Sequence, residues 1–353
     1  MFDSIIQSAK EDIKPVSDVE DLAGVRISVI GVGGAGCNSI NRLSKAGIKS
    51  ANTIAINTDG KHLKITEANQ KILIGKSITR GLGAGGDANV ARKVAEADIQ
   101  LLRDEIGENE LVFLCGGMGG GTGTGAAPVV ARVAKEQGAI VVAMVTYPFS
   151  LERVRLKVAQ EGLKNLVNVA DTVVVIDNNR LTSYAPNLPI DDAFKLADSI
   201  IGRAVKGISD TIMFPSLINV DFADVRAVMK GGGLAMISLG NGSGVDKIDK
   251  VVKDTMQHPL LDVNYEEAKG CLLHLEGGQD LTLSDAITTG EKITNVFDFD
   301  ANIKLGARVN PNLTDSIAVT AILTGVSSPN IFGASGGFSS EKDSESDMGI
   351  NYL

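Results

Sequence analysis

Two groups of residues in this 353-residue chain have types and spacings suited to phosphate chemistry. The first is the run CGGMGGGTGTG at residues 115 to 125, in which seven of eleven residues are glycine. Glycine is entropically costly to order, so such a run needs a use. Before it stands ELVFLC, an apolar stretch suited to a buried parallel strand. After it stands AAPVVARVAKEQG, which reads as a helix with Pro128 in its first turn and Gly138 at its C-cap. The flanks set aside a flexible linker and make the run a strand-to-helix turn. Bare amides there converge on one spot and the helix dipole adds positive potential, which makes an anion site. Thr122 and Thr124 add hydroxyl donors, and no Lys follows as the Walker pattern would require. The second group is carboxylate. Asp221 and Asp224, in NVDFAD, are three apart at a helix start and point the same way. They read equally well as ordinary N-terminal caps and as a pair that holds and polarises a water.

Further glycine loops lie upstream. Gly31-Val32-Gly33-Gly34-Ala35-Gly36 matches the dinucleotide pattern, and Asp59 ends the next strand where a ribose-binding acid would stand. Alone this loop suits NAD, a mononucleotide or a plain tight turn. Gly81-Leu82-Gly83-Ala84-Gly85-Gly86-Asp87 is a third. Three amide-rich loops at the strand ends of one sheet point to a string of phosphates. Farther on, Phe194 and Asp198 are i, i+4 neighbours at the edge of a helix's apolar stripe. Their spacing alone favours a boundary phenylalanine and a solvated carboxylate.

These residues need a scaffold. RISVIGV, NTIAINT, KILIG, LVFLCG, AIVVAMVT and TVVVIDN read as strands, with helical patterns between most of them. That alternation predicts an α/β fold: a doubly wound, parallel-sheet nucleotide-binding domain over residues 24–219. It includes a long central helix at about 190 to 212, with Ala197, Ile200, Ile201, Ala204 and Ile208 on one face. A smaller α+β domain over 220–327 carries the carboxylate loop at its start. Its strands GLAMISLG, GCLLHLEGG, NIKLGARV and SIAVTAILTGV look antiparallel, and DKIDKVVKDTMQ and LTLSDAITTGEKIT look helical. Residues 1–23 form an amphipathic helical extension. Residues 328–353, rich in Ser, Gly and acids, form a disordered tail with an apolar end, MGINYL.

Composition narrows the class. Hydrophobic residues make up 44% and charged residues 22%, as in a soluble globular protein. The net charge of -9 disfavours nucleic-acid and acidic-membrane partners. No run is long enough to span a membrane, and the acidic N-terminus is not a secretion signal. Cys37, Cys115 and Cys271 form no C-x-x-C pair and read as small buried hydrophobes. Three scattered histidines, at 62, 258 and 274, do not make a metal site.

With these loops in view, a resemblance emerges. GGMGGGTGTGAAP closely resembles the signature of the FtsZ family, the tubulin-related cell-division GTPases. VIGVGGAGCN, AINTD, GLGAGGD and NVDFADV resemble its other nucleotide loops in the same order, and DNNRL and NLPIDDAF are most similar to archaeal members. The resemblance covers roughly residues 24 to 327 and implies a role for each matching residue. Gly33, Gly34, Ala35, Gly36, Cys37 and Asn38 would face the first two phosphates of GTP or GDP. Asn57 and Asp59 would lie near phosphates, metal or sugar. Ala84, Gly85 and Gly86 would approach the γ-phosphate. Gly119, Gly120, Gly121, Thr122, Gly123, Thr124 and Gly125 would form the main cradle. Glu152 and Arg155 would contact the ribose or the loop around it, at a spacing one residue shorter than the family's usual one. Asn178, Phe194 and Asp198 would recognise guanine, a carboxylate accepting from N1-H and N2-H together. Asn219, Asp221 and Asp224 would act on the nucleotide of the next subunit, so that head-to-tail contact builds both the active site and a filament. Magnesium would be held mainly through the phosphates, with no metal site of the chain's own. The resemblance also implies division adaptors or membrane anchors as partners of the tail, a paralogous filament protein, and a cytoplasmic ring at mid-cell on the inner face of the membrane, without direct membrane insertion. Two rival readings are an NAD-dependent enzyme, which leaves residues 115 to 125 unexplained, and a non-hydrolysing scaffold, against which Asp221 and Asp224 stand.

Overall fold

The computed structural model describes residues 24–328, apart from 185, 186, 188, 214, 215, 258, 259, 261, 262, 264–266, 298, 299 and 312. The expected N-terminal helix and the tail beyond 328 lie outside the described residues. In the first half, strands and helices alternate: β1 (Ile27–Val32), α1 (Gly33–Lys45), β2 (Asn52–Asn57), α2 (Gly60–Ile65), β3 (Gln70–Leu73), α3 (Lys76–Thr79), α4 (Ala88–Ala97), α5 (Ile99–Ile106), β4 (Leu111–Gly117), α6 (Gly121–Glu136), β5 (Ile140–Tyr147), α7 (Arg153–Val167) and β6 (Thr172–Asp177). There follow α8 (Asn178–Tyr184), the long α9 (Ile190–Met213), α10 (Phe222–Met229), β7 (Gly233–Ser243), α11 (Lys247–Gln257), β8 (Gly270–Gly277), α12 (Leu283–Thr294), β9 (Asn302–Val309) and β10 (Ser316–Thr324).

The ten strands of the described residues join one sheet in the order β3-β2-β1-β4-β5-β6-β7-β10-β8-β9. The first six are parallel, in the doubly wound order whose switch point falls between β1 and β4. Their apolar runs look continuous because both faces are covered. The period of two sorts them into two cores. On β4, Val112 and Leu114 face α6 residues such as Val130 and Ala134, while Leu111, Phe113 and Cys115 face Ile40 of α1 and Ile201 and Ala204 of α9. Ala197, Ile200, Ile201, Ala204 and Ile208 are all buried, as the helical spacing predicts.

Two expectations are overturned. The second-half strands are not uniformly antiparallel. β10 is antiparallel to β7 and β8, but β8 and β9 are parallel, because α12 forms a crossover between them. β7 lies parallel to β6, with Thr172, Val173 and Val174 opposite Gly233, Leu234 and Ala235, which makes the sheet continuous. Pro128 also lies well inside a helix and not in its first turn, since α6 begins at Gly121. The glycines themselves wind the first turns, where neighbouring backbone leaves no room for side chains. A Cβ on Gly123 would lie 2.5 Å from the Gly117 carbonyl oxygen, and one on Gly125 would lie 2.0 Å from that of Ala88.

Candidate functional site

At the carboxyl ends of β1 and β4, the starts of α1 and α6 meet. A Cβ on Gly33 would come within 2.7 Å of the Gly123 amide nitrogen, so only bare backbone lets the two helix starts approach so closely. Gly33 also holds φ at +75°, a left-handed conformation that glycine adopts without strain. Neither N-terminus receives a side-chain cap, so the first amides remain as donors. They open on a cleft of about 470 Å³. Gly34 and Ala35 of the first loop, Gly120, Gly121, Thr122 and Gly123 of the second, and Gly83 and Gly85 of the third all line it. The three glycine loops therefore do share one cleft. The Thr122 hydroxyl is held 2.7 Å from that of Thr58, and Thr124 accepts from the Gly119 amide at 2.9 Å.

Asn57, Asp59, Glu152, Arg155, Asn178 and Phe194 complete the walls. Asp59 caps α2, accepting from the amides of Lys61 and His62. Glu152 takes a 2.7 Å bond from Arg155 and one from the Phe149 amide at 3.2 Å. Phe194 is 43% exposed and stands edge-on to Phe149, with ring centroids 6.0 Å apart. Asn178 is buried, yet its side-chain oxygen has no hydrogen-bond partner. Buried polar atoms are nearly always paired, so an orphan in a cleft wall fits a ligand donor. A methyl on Gly120 would meet no protein atom within 4 Å, leaving room in the cradle for a ligand's oxygens.

Other named residues stand back from the cleft. Gly36 is wedged against the Cys115 carbonyl, which its Cβ would approach to 2.4 Å. Cys37 is buried, with Asn57 donating to its sulfur at 3.7 Å, and burial pushes its thiol up to about 12. Cys115 and Cys271 are likewise buried and shifted, so all three are inert thiols. Asn38 bonds His62 at 3.1 Å. Ala84 packs close to Gly121, while Gly86, Thr124 and Gly125 line a second cleft of about 620 Å³ between α4, α6 and α7. Asp198 faces α1, where Ser39 donates to one oxygen at 2.6 Å and Arg42 pairs with the other at 2.9 Å. Burial raises its pKa, against the opposing pull of Ser39 and Arg42.

The acidic loop lies elsewhere. Phe194 is near the start of α9, and the loop follows its far end. From Phe194 to Met213 the helix spans roughly 30 Å at about 1.5 Å per residue. Asp221 and Asp224 form a capping box: Asp221 accepts from the Asp224 amide at 2.7 Å, and Asp224 from the Asp221 amide at 3.4 Å. Lys304 of β9 reaches the other Asp224 oxygen at 2.7 Å and holds that carboxyl below the usual range. Asn219 accepts from the Ser216 amide at 2.8 Å.

Sequence reasoning missed His62, Thr146 and Pro148 in the cleft lining, Arg42 and Ser39 at Asp198, and Lys304 at Asp224. Only His62 carried a signal, standing three residues after Asp59 of AINTD. The others come from separate elements that the fold alone brings near.

Several known proteins are similar to this chain. A family profile described as the GTPase domain of the Tubulin/FtsZ family matches residues 26–186, and one described as the C-terminal domain of the FtsZ family matches residues 233–327. Cell division protein FtsZ 2 of Methanocaldococcus jannaschii is 56% identical over 317 residues, 89% of this chain and 83% of that protein. Cell division protein FtsZ 2 of Haloferax volcanii is 50% identical, covering 93% of this chain and 82% of that protein. A solved structure of an empty FtsZ dimer from M. jannaschii superposes with a TM-score of 0.82 at 43% identity, covering 92% of each chain.

Proposed function

Because this chain belongs to the FtsZ family of tubulin-related GTPases, we propose that it hydrolyses GTP at a site completed by two subunits in a head-to-tail filament. It is a cell-division GTPase that binds guanine nucleotide and self-assembles. On the proposed reading, the bare amides of α1 and α6 hold the phosphates, Asn178 and Phe194 meet the base with Asp198 behind them, and Glu152 and Arg155 border the ribose. Magnesium would neutralise charge on the phosphates. On this reading the phosphates would supply most of its donors. The Thr122 hydroxyl and the Asn57 and Asp59 side chains are at hand in the cleft.

The observation that carries the reading is the length of α9 between the cleft and NVDFAD. A loop so far from its own nucleotide acts only on a neighbour's. Exposed apolar side chains agree with a buried junction at both ends: Leu82, Leu151 and Val154 beside the cleft, and Leu217 beside the loop. Asp221 and Asp224 would then position the attacking water. Two measurements test this. Turnover should rise more steeply than in proportion to protein concentration. Asp224→Ala should bind GTP normally, yet lower phosphate release by about tenfold or more when mixed in excess with wild type. Loss of GTP binding by the variant would instead assign the loop to its own pocket.

The apolar end of the tail, Met348 to Leu353, is proposed to dock on an adaptor or membrane anchor. Filaments would then gather at the division site on the inner membrane face, and a paralogous filament protein is a further candidate partner.

A further inference from the structure

The loop that carries Asp221 and Asp224 is stitched to the edge strand β9. Ile218 donates to the Ala307 carbonyl at 3.2 Å, and Ala307 donates back to Ile218 at 3.1 Å. One pleat along, Gly306 has no side chain, and a Cβ there would come within 3.0 Å of Val220. Two residues farther, on the same face as Gly306, stands Lys304, whose ammonium is 2.7 Å from Asp224 Oδ1. Asp224 Oδ2 faces the Asp221 amide. Both oxygens are therefore held, one by the loop and one by the strand beneath it.

Stability gives little reason for this pair. The two side chains are 33% and 32% exposed, and a partly exposed ion pair adds little to stability. Orientation gives a better one. Without Lys304 the Asp224 side chain is held, among the described residues, by Asp221 alone, through a long contact to its amide, and its carboxylate plane is freer to turn. A misplacement of about 1 Å in a reacting constellation costs up to a hundredfold in rate. Lys304 lies on an element that forms no part of the nucleotide cleft, so it reports on the loop alone.

We infer that Lys304 is a positioning residue for hydrolysis: it fixes the Asp224 carboxylate in the orientation that the loop presents to the neighbouring subunit's nucleotide. The inference rests on the two-subunit reading of the site. The residue acts through Asp224, and its flat, ordered partner needs a cation of the right reach. Arginine supplies one, and glutamine does not.

The test uses the full chain with GTP. Lys304→Gln should leave the GTP affinity of unassembled protein within about twofold of wild type, while phosphate release per polymerised chain at saturating GTP falls about tenfold. Lys304→Arg should keep most of the turnover. Equimolar mixtures with wild type, which supplies the filament where the Gln variant assembles poorly alone, should fall to about half of the wild-type rate per polymerised chain, because half of the loops then carry the substitution. A mixture as fast as wild type alone, or an Arg variant as slow as the Gln variant, overturns the role of Lys304. Lys292→Gln, which breaks a comparable surface pair with Asp249, should leave turnover unchanged. Failure of the two-subunit reading has a different signature: Asp224→Ala would then lose GTP binding, or its filaments of equal mass would release phosphate at the wild-type rate.

Discussion

Asn178 keeps a carbonyl oxygen buried at the wall of the cleft with no partner. Such an atom costs about 1–3 kcal/mol, and a ligand N–H or O–H that meets it recovers that cost on binding. Asn178→Ala is thus expected to weaken GTP binding about tenfold, while the unfolding free energy holds or rises. Titration calorimetry and denaturant unfolding of the one variant measure both. A second residue-scale feature couples the long helix to the sheet. His274 is 2.7 Å from Thr211 of α9 and 3.2 Å from Glu276, which also accepts from Asn310 at 2.9 Å. The hydrogen bond from His274 outweighs burial and holds the Glu276 carboxyl down at about 2, against an ordinary 4.5. A depressed folded value adds stability above the ordinary pKa, which is lost as pH falls through the folded one. Glu276→Gln should therefore be less stable than wild type near neutrality, and the difference should close between about pH 4.5 and 2. Denaturant midpoints across that range would show it.

At the scale of elements, the glycines of α6 divide by what surrounds them. A methyl on Gly120 meets no protein atom, but it would intrude on the cleft. A methyl on Gly125 would lie 2.0 Å from the Ala88 carbonyl, so α4 would have to move. Gly120→Ala should change stability by less than about 0.5 kcal/mol and still weaken GTP binding. Gly125→Ala should cost about 1–3 kcal/mol of stability as overpacking does, whatever the ligand. Thermal melts with and without GTP separate the two. Much of this was legible in advance. The alternating runs of β1 to β6, the face of α9 and the glycine loops follow from local period and turn chemistry. The parallel pairing of β8 with β9 was not legible, because direction depends on where a crossover helix docks and not on the strand's own residues. The early start of α6 was hidden for a related reason: glycine's poor helix propensity yields here to close packing against Gly117 and Ala88. Lys304 and Arg42 were invisible because their partners are far away in sequence, at Asp224 and Asp198.

At the scale of the whole molecule, one sheet of ten strands runs from the nucleotide loops to the strand that supports the acidic loop, with α9 alongside. No helix among the described residues is long and apolar enough to cross a membrane. In the proposed reading, placement at a membrane falls to the tail. Deleting residues 340–353 should leave GTP hydrolysis and assembly of purified protein within about twofold of wild type. In cells it should disperse the filaments from the division site, as fluorescence imaging would reveal. Loss of assembly in the purified truncation would make the tail part of the filament.

In the proposed head-to-tail filament, the distance that α9 sets between cleft and loop would make the two tips chemically unlike. The subunit at one tip carries a nucleotide that no loop touches, and the subunit at the other carries a loop with nothing to act on. A chain of n subunits then has n − 1 working junctions, so a dimer can spend half its nucleotides and a long filament nearly all. Average age of the bound nucleotide becomes a record of filament length. On that reading, short, newly made filaments would stay charged, long ones would discharge along their interior, and the last nucleotide to survive would mark which way the filament points.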